Sequence, residues 1–211
     1  MKRLNMKPNN TAGFLFTFCG LDGCGKTTML TRLENELSNK YKIYKTKQPT
    51  NAVREANIFR NYMDNPNHDD YDYRSLSLLA ASDRLQHVNK IILPQMKEGT
   101  VVISDRYFYS CLANLRARGF ANDEWIYEIA ESVVLPDKAF FFDVPVETAV
   151  KRVRSREEEK DRYIDMELQH KLRDEYLKIC KANNGILIST EMPIEECYAI
   201  VKKEVEGVMN K

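Results

Sequence analysis

Apolar residues along this chain gather into five short runs separated by longer stretches in which they recur every three or four positions. The runs are Gly13–Phe18, Tyr41–Thr46, Thr100–Ser104, Ala139–Asp143 and Ile186–Ser189, and their length and bounding polar residues predict strands. The helical period predicts helices over Thr27–Asn39, about 52–63, Tyr73–Lys97, Tyr109–Arg118, Asp123–Val134, Val146–Arg156, Ile164–Asn183 and Ile194–Met209, with "EGT" at 98–100 as a stop signal. Strand and helix alternate, which is the pattern of βαβ units. The expected fold is α/β, a five-stranded parallel sheet flanked by helices in three layers. No repeat, low-complexity tract or Pro/Gly-rich linker breaks the pattern, so residues 13–211 are expected to form one domain. Residues 1–12 are expected to be a flexible arm.

Composition narrows the partners. Thirty-two Lys and Arg against 31 Asp and Glu leave a formal charge of +1, so no overall field draws the chain to nucleic acid or to an anionic membrane, and any basic site is local. The basic start "MKRLNMKPNNTAG" is followed by too few apolar residues for a signal peptide or a membrane span. Five cysteines, odd in number, scattered and without a C-x-x-C pair, argue against a zinc site or a disulfide framework and for a reducing cytoplasm. A soluble cytoplasmic protein is expected, without a membrane or nucleic-acid partner.

The candidate chemistry begins directly after the first strand, in "GLDGCGKTT". Gly20, Gly25, Lys26 and Thr27 occupy the fixed positions of G-x-x-x-x-G-K-[ST], with Leu21, Asp22, Gly23 and Cys24 between them and Thr28 following. Glycines at this density are costly in helix or strand. A polyphosphate compensates: backbone N–H groups curl around its oxygens, the helix N-terminus adds positive potential, Lys26 bridges toward the transferred phosphate and Thr27 can ligate Mg²⁺. The alternative is an ordinary Gly-rich turn, which would not require the lysine and hydroxyl in these places. Cys24 reads as a small packing residue. A guanine-reading N-K-x-D is absent, since "NKII" at 89–92 lacks the acid, and the length leaves little room for the coupling modules of a mechanical ATPase. A small phosphotransferase is favoured.

Three more segments make the chain resemble the thymidylate kinase family of nucleoside monophosphate kinases: "LLAASDRLQHVNKIILPQMKEG" (78–99), "VVISDRYFYSCLAN" (101–114), and "LPDKAFFFDVPVETAVKRVRSR" leading into "DRY" and "LRDEYLKI". With the loop they cover nearly all of the chain beyond residue 13. The resemblance implies a P-loop fold, ATP and Mg²⁺, transfer of the γ-phosphoryl group to dTMP to give dTDP and ADP, and a homodimer formed by helices near the acceptor site. It matches Asp22 to a loop acid that positions the acceptor, Arg106 to the arginine that grips the acceptor monophosphate, and Arg84 to one that reaches the acceptor base and phosphate. Asp105, ending a central strand, could hold Mg²⁺ through water. Charge neutralisation by such groups is what phosphoryl transfer requires.

A lid is expected around 150–166, carrying Arg152, Arg154, Arg156, Lys160 and Arg162 among acids. Most of these charges read as a solvated face of i,i+4 pairs. Gly23, however, stands where some family members carry a catalytic arginine, and members with glycine there supply it from the lid; Arg154 or Arg156 is the expected donor.

The base pocket departs from the family. Ala80 replaces the stacking Phe, Cys111 a Ser or Asn, Asn114 a Tyr and Leu115 a Gln; "KQPT" (Lys47, Gln48, Pro49, Thr50) replaces "REPG", and Cys19 replaces a Glu. An aromatic platform and an edge-reading amide are each worth about 1–3 kcal/mol. The expected acceptor set is therefore Asp22, Lys47, Pro49, Arg84, Arg106, Cys111 and Asn114, with dTMP as first acceptor. The alternatives are another base, a modified pyrimidine, a nucleoside, or a catalytically weak nucleotide-binding regulator. The nearby aromatics Tyr71, Tyr73, Tyr107, Phe108 and Tyr109 read as packing groups before base platforms.

Overall fold

The computed structural model describes residues 1–64, 67, 68 and 70–210. Five parallel strands, β1 (Phe14–Cys19), β2 (Ile43–Lys47), β3 (Val101–Asp105), β4 (Lys138–Asp143) and β5 (Ile186–Ser189), stand in the order β2-β3-β1-β4-β5. The three inner strands, FLFTFC, VVISD and KAFFFD, are almost wholly buried, as strands covered on both faces must be. The chain leaves β1 toward β2 through α1 (Lys26–Leu37) and leaves β3 toward β4 through α6 (Phe108–Ala117) and α7 (Trp125–Ala130). These crossovers run in opposite directions, so right-handed connection puts α1 and α6 on opposite faces. The first layer pairs α1 with α10 (Ile194–Met209); the second joins α4 (Tyr73–His87), α6 and α9 (Met166–Ala182) in series. Where the directions diverge, between β1 and β3, the carboxyl ends of the strands open a crevice. The register Phe18↔Asp105 sets the loop after β1 beside the loop after β3.

All five predicted strands are present within two residues of their expected limits. The helix predicted over 73–97 is one rod with a defect: α4 runs into a π turn at Val88–Ile92 before α5 (Leu93–Lys97). Pro94 has no N–H for the Lys90 carbonyl, and its ring crowds that carbonyl, so the coil widens one turn earlier. The helix expected over 52–63 is two, α2 (Asn51–Arg54) and α3 (Asn57–Asp64). Beyond α8 (Val146–Arg154) a single 3₁₀ turn at Glu157–Glu159 leads to α9, whose N-cap Asp165 accepts from Leu168 N at 3.0 Å. No described helix is long and apolar enough to cross a membrane, and all five cysteines are buried and free.

The N-terminal arm, expected to be flexible, is docked. Leu4 and Met6 are buried in the core, Leu4 N donates to Asn183 Oδ1 at 2.9 Å, and Lys7 bridges to Val134 through Lys7 N to Val133 O at 2.9 Å and Leu135 N to Lys7 O at 2.6 Å. Two apolar side chains spaced by two residues point to one side of an extended segment. That pattern is too short to announce itself in sequence, and only a surface groove beside α9 and β4 gives it a partner. Leu4→Ala is expected to cost about 2–5 kcal/mol, the usual range for a buried leucine; a urea midpoint unchanged from that of the wild type would show that the arm contributes nothing.

Candidate active site

A cleft of about 1040 Å³ lies over the carboxyl ends of β1 and β3. Its floor is the loop between β1 and α1. Gly20 and Gly23 adopt φ of 137° and 81°, and each is approached by backbone: a Cβ on Gly20 would lie 2.4 Å from Phe142 O, and one on Gly23 would lie 2.2 Å from Ala149 O. The loop is thus wedged against β4 and α8, and only glycine fits. Gly25 caps α1, and Thr27 and Thr28 in its first turn face the cleft with Leu21, Asp22 and Lys26. Lys26 Nζ is buried, spanning the loop with bonds to Gly20 O at 3.0 Å and Leu21 O at 2.6 Å. Cys24 is fully buried beneath it, a packing residue as expected.

Arg106 follows β3 in the left-handed region at φ 68°, a costly conformation for a non-glycine residue. Five bonds among the described residues hold it there, one of them from Ser104 Oγ to the Arg106 carbonyl at 2.7 Å. Its N–H donates to Phe18 O at 2.8 Å, Nη1 donates to Tyr176 Oη at 2.8 Å and Gly20 O at 3.2 Å, and Nη2 donates to Asp22 Oδ1 at 2.6 Å. Tyr176 in turn donates to Ser110 Oγ at 3.0 Å. The second oxygen of Asp22 receives Arg162 Nη2 at 3.4 Å. The Arg106 charge, with Lys26 and Arg162 behind it, holds the Asp22 carboxyl well below the usual carboxylate range against the opposing effect of burial. Burial acts to lower the Arg106 pKa, but Tyr176, Asp22 and Asp105 outweigh it and keep the guanidinium firmly charged.

Asp105 ends β3 with Oδ2 3.7 Å from Lys47 Nζ, while its Oδ1 is buried without a partner among the described residues. That orphaned oxygen, in a cleft that Thr27 also lines, suits a hydrated Mg²⁺ carried in on phosphate. No group of three or more His, Cys, Asp or Glu converges among the described residues, so such an ion would be held mainly by phosphate oxygens and water. Lys47, Pro49 and Arg54 line the same wall, with Arg54 Nε donating to Pro49 O at 2.7 Å. Desolvation and then the neighbouring cations lower the pKa of Arg54; desolvation likewise leads for Lys47, with Arg54 and Arg106 adding and Asp105 opposing. Thr50 is pinned to α4 through N and Oγ1 bonds to Asp83 at 2.7 and 2.5 Å. Arg84 is buried, with Nη1 donating to Ala80 O at 2.9 Å and Nε unpartnered among the described residues.

A statistical model of the thymidylate kinase family matches residues 18–200. The chain is 35% identical over 207 residues to a protein of Pyrococcus horikoshii named probable thymidylate kinase, covering 93% of this chain and 99% of the relative. A thymidylate kinase of Geobacillus sp. WCH70 is 34% identical, covering 92% and 99%, and one of Onion yellows phytoplasma is 28% identical, covering 91% and 96%. The chain belongs to the thymidylate kinase family.

Within that family frame, the structure brings together most of the residues singled out in sequence. Leu21 to Thr28, Lys47, Pro49, Arg84, Asp105, Arg106, Cys111 and Asn114 share the cleft, apart from the buried Cys24, while Gly20 lies behind its lining with its carbonyl accepting from Lys26 and Arg106. The lid differs from expectation. Arg156 lines the cleft, but Arg154 is exposed and does not; Arg152 and Arg162 do. Arg154 lies on the outward side of α8 because Val150 and Val153 take the inward positions, whereas Arg162 follows the 3₁₀ turn, where the chain doubles back over Asp22. Cys111 and Ser77 bond each other (Sγ to Oγ, 3.6 Å). Asn114 bonds Ser110 O and Arg118 within its own helix. Tyr107, Phe108 and Tyr109 are core residues as expected, whereas Tyr73 reaches the cleft.

Sequence reasoning missed Arg54, Phe59, Tyr62, Arg118, Tyr176 and Thr190, all of which line the cleft. Tyr176 lies within the quoted "LRDEYLKI" but was given no role; the others fall in no quoted motif, and the signal for Arg54 and Tyr62 was an excess of Arg and Tyr between 54 and 73. Thr190 accepts from Arg152 Nη1 at 3.1 Å through Oγ1 and from Nη2 at 3.1 Å through its carbonyl, closing the opposite end of the cleft.

Two outcomes follow for the loop. Gly23→Ala forces a side chain into Ala149 O at a positive φ, so a lowered melting temperature and loss of nucleotide binding are expected together; a variant that melts and binds like the wild type refutes the wedge. Because the Asp22 pKa is lower folded than unfolded, its contribution is complete above about pH 4, the unfolded carboxylate value, and is lost as pH falls through the depressed value. The stability difference between wild type and Asp22→Asn, measured by urea melts from pH 7 to pH 3, is expected to shrink only below pH 4.

Proposed function

We propose that this chain is an ATP- and Mg²⁺-dependent kinase that phosphorylates dTMP to dTDP. The observation that carries the reading is one cleft in which the loop lysine and the Arg106–Asp22 pair stand side by side, so that two polyanions can be held end to end. The names of the relatives point the same way. The loop amides and Lys26 hold the donor's phosphates. Arg106, with Lys47 and Arg54, faces the acceptor's monophosphate, and Arg84 lies toward its base. Thr27 and Asp105 would hold Mg²⁺, which neutralises developing charge on the phosphates when bound. The base of the donor fits beside Arg152 and Thr190.

Gly23 cannot carry the arginine that some relatives place there, because Ala149 O occupies the space. The positive charge over the transferred group is assigned instead to the lid. Arg162 serves in place of Arg154, with Arg156 beside it, since Arg162 already reaches Asp22. Closure of residues 150–166 would exclude water, which otherwise competes as acceptor. A cytoplasmic homodimer is part of the same proposal. Exposed Leu78 on α4 supports pairing through that helix, and five buried free thiols suit a reducing compartment.

A coupled assay tests the reaction. ADP release is expected only when a nucleoside monophosphate is added, to disappear with EDTA, and to fall by at least about 10²-fold in Lys26→Ala, Arg106→Ala and Arg162→Ala. ADP release independent of any acceptor would count against it, and nucleotide binding without turnover across all monophosphates would favour a regulatory protein.

A further inference from the structure

The acceptor end of the cleft holds a guanidinium that the phosphate chemistry does not use. Arg118 follows the last turn of α6 and lines the cleft. It is held from three sides. Nε donates to Tyr62 Oη at 3.0 Å, and Nη1 donates to Asn114 O at 3.3 Å and Asn114 Oδ1 at 2.9 Å. The guanidinium lies over the Tyr73 ring, 4.0 Å from its centroid. These bonds use Nε–H and both hydrogens of Nη1. Nη2 has no partner among the described residues, and there no carboxylate forms an ion pair with Arg118. A bracing role alone would be complete without Nη2; the arrangement leaves an oriented pair of donors at the cleft.

The wall facing it is a stripe of α4. Tyr73, Leu76, Ser77, Ala80 and Arg84 all line the cleft at helical spacings of three and four, over roughly 16 Å. Small side chains occupy the middle of the stripe, and the donors stand beyond: Arg84 Nε, buried and unpartnered, at one end, and the Arg118 guanidinium over Tyr73 at the other. The hydroxyl and thiol between them, Ser77 and Cys111, are engaged with one another. Arginine has donors and no acceptors. A base entering this space therefore meets N–H groups at its edge and finds little to receive an N–H of its own.

We propose that Arg118, carried on Tyr73 and aimed by Asn114 and Tyr62, reads the acceptor's nucleobase and selects bases with a carbonyl edge, thymine, uracil or guanine, over cytosine and adenine. This rests on the kinase reading above and names the residue that replaces the missing aromatic and amide at positions 80 and 115. Asn114 then acts as a positioning residue, reaching the base through Arg118. An amino group set against the arginine donors leaves both unsatisfied, and such mismatches discriminate more strongly than a missing methyl.

The test is calorimetric titration of dTMP, dUMP, dGMP, dCMP and dAMP into protein saturated with Mg²⁺ and a non-hydrolysable ATP analogue, alongside steady-state kinetics. Arg118→Met keeps the stem on Tyr73 and removes the donors. The expected result is a Kd and KM for keto-base acceptors raised at least tenfold, with kcat and the KM for ATP within threefold. dCMP and dAMP are expected to change little, so that the keto preference falls about tenfold. If Arg118→Met melts below the assay temperature, Tyr62→Phe, which removes one aiming bond, is expected to reduce the same preference three- to tenfold. An unchanged preference in the folded variant, or equal weakening of all five acceptors, overturns the role of Arg118 while leaving the kinase reading in place. A wild type that binds none of the five overturns the kinase reading, and this inference with it.

Discussion

The contact between Asp22 and Arg106 joins the two loops on which the cleft is built. Asp22 belongs to the turn after β1 and Arg106 to the turn after β3, and the parallel register of these strands brings Phe18 opposite Asp105. Arg106 pays for its left-handed backbone with bonds to Phe18 O, Gly20 O, Tyr176 and Asp22, so the strained residue is held by the same elements it organises. If that network is released, the donor loop and the acceptor wall lose their fixed relation.

Charge in the cleft follows from the same geometry. A chain of net charge +1 concentrates Lys26, Lys47, Arg54, Arg84, Arg106, Arg152, Arg156 and Arg162 around one concavity, tempered by Asp22, Asp105 and the acids of the lid. Burial first, and then the neighbouring cations, lower the affinity of Lys47 and Arg54 for protons. Phosphate relieves that repulsion, so binding energy is stored in the arrangement before any nucleotide arrives. Glycine at position 23 admits α8 against the loop, where the Ala149 carbonyl takes the space a side chain would need.

The acceptor pocket shows how a family site can be rebuilt without losing its place. At this end of the cleft Tyr73 lies on α4, Arg118 just beyond α6 and Tyr62 on α3. Beneath these side chains Tyr107, Phe108 and Tyr109 are fully buried in the core.

Local pattern alone determined the strands, most of the helices, the phosphate loop and the Asp105–Arg106 dipeptide, because each is written in consecutive residues: β-strands as unbroken apolar runs, the loop as glycines at fixed spacing. What it could not contain was proximity. Leu4 appeared unattached until Asn183 met it; Arg154 and Arg156 were the expected lid arginines until the packing of α8 turned Arg154 outward and Arg162, beyond the turn at 157–159, reached Asp22; Arg118 was one arginine among many until Tyr62, Tyr73 and Asn114 converged on it. Those decisions depend on which distant segments pack together, and a side chain's role in a cleft is set by the neighbours that only the folded chain supplies.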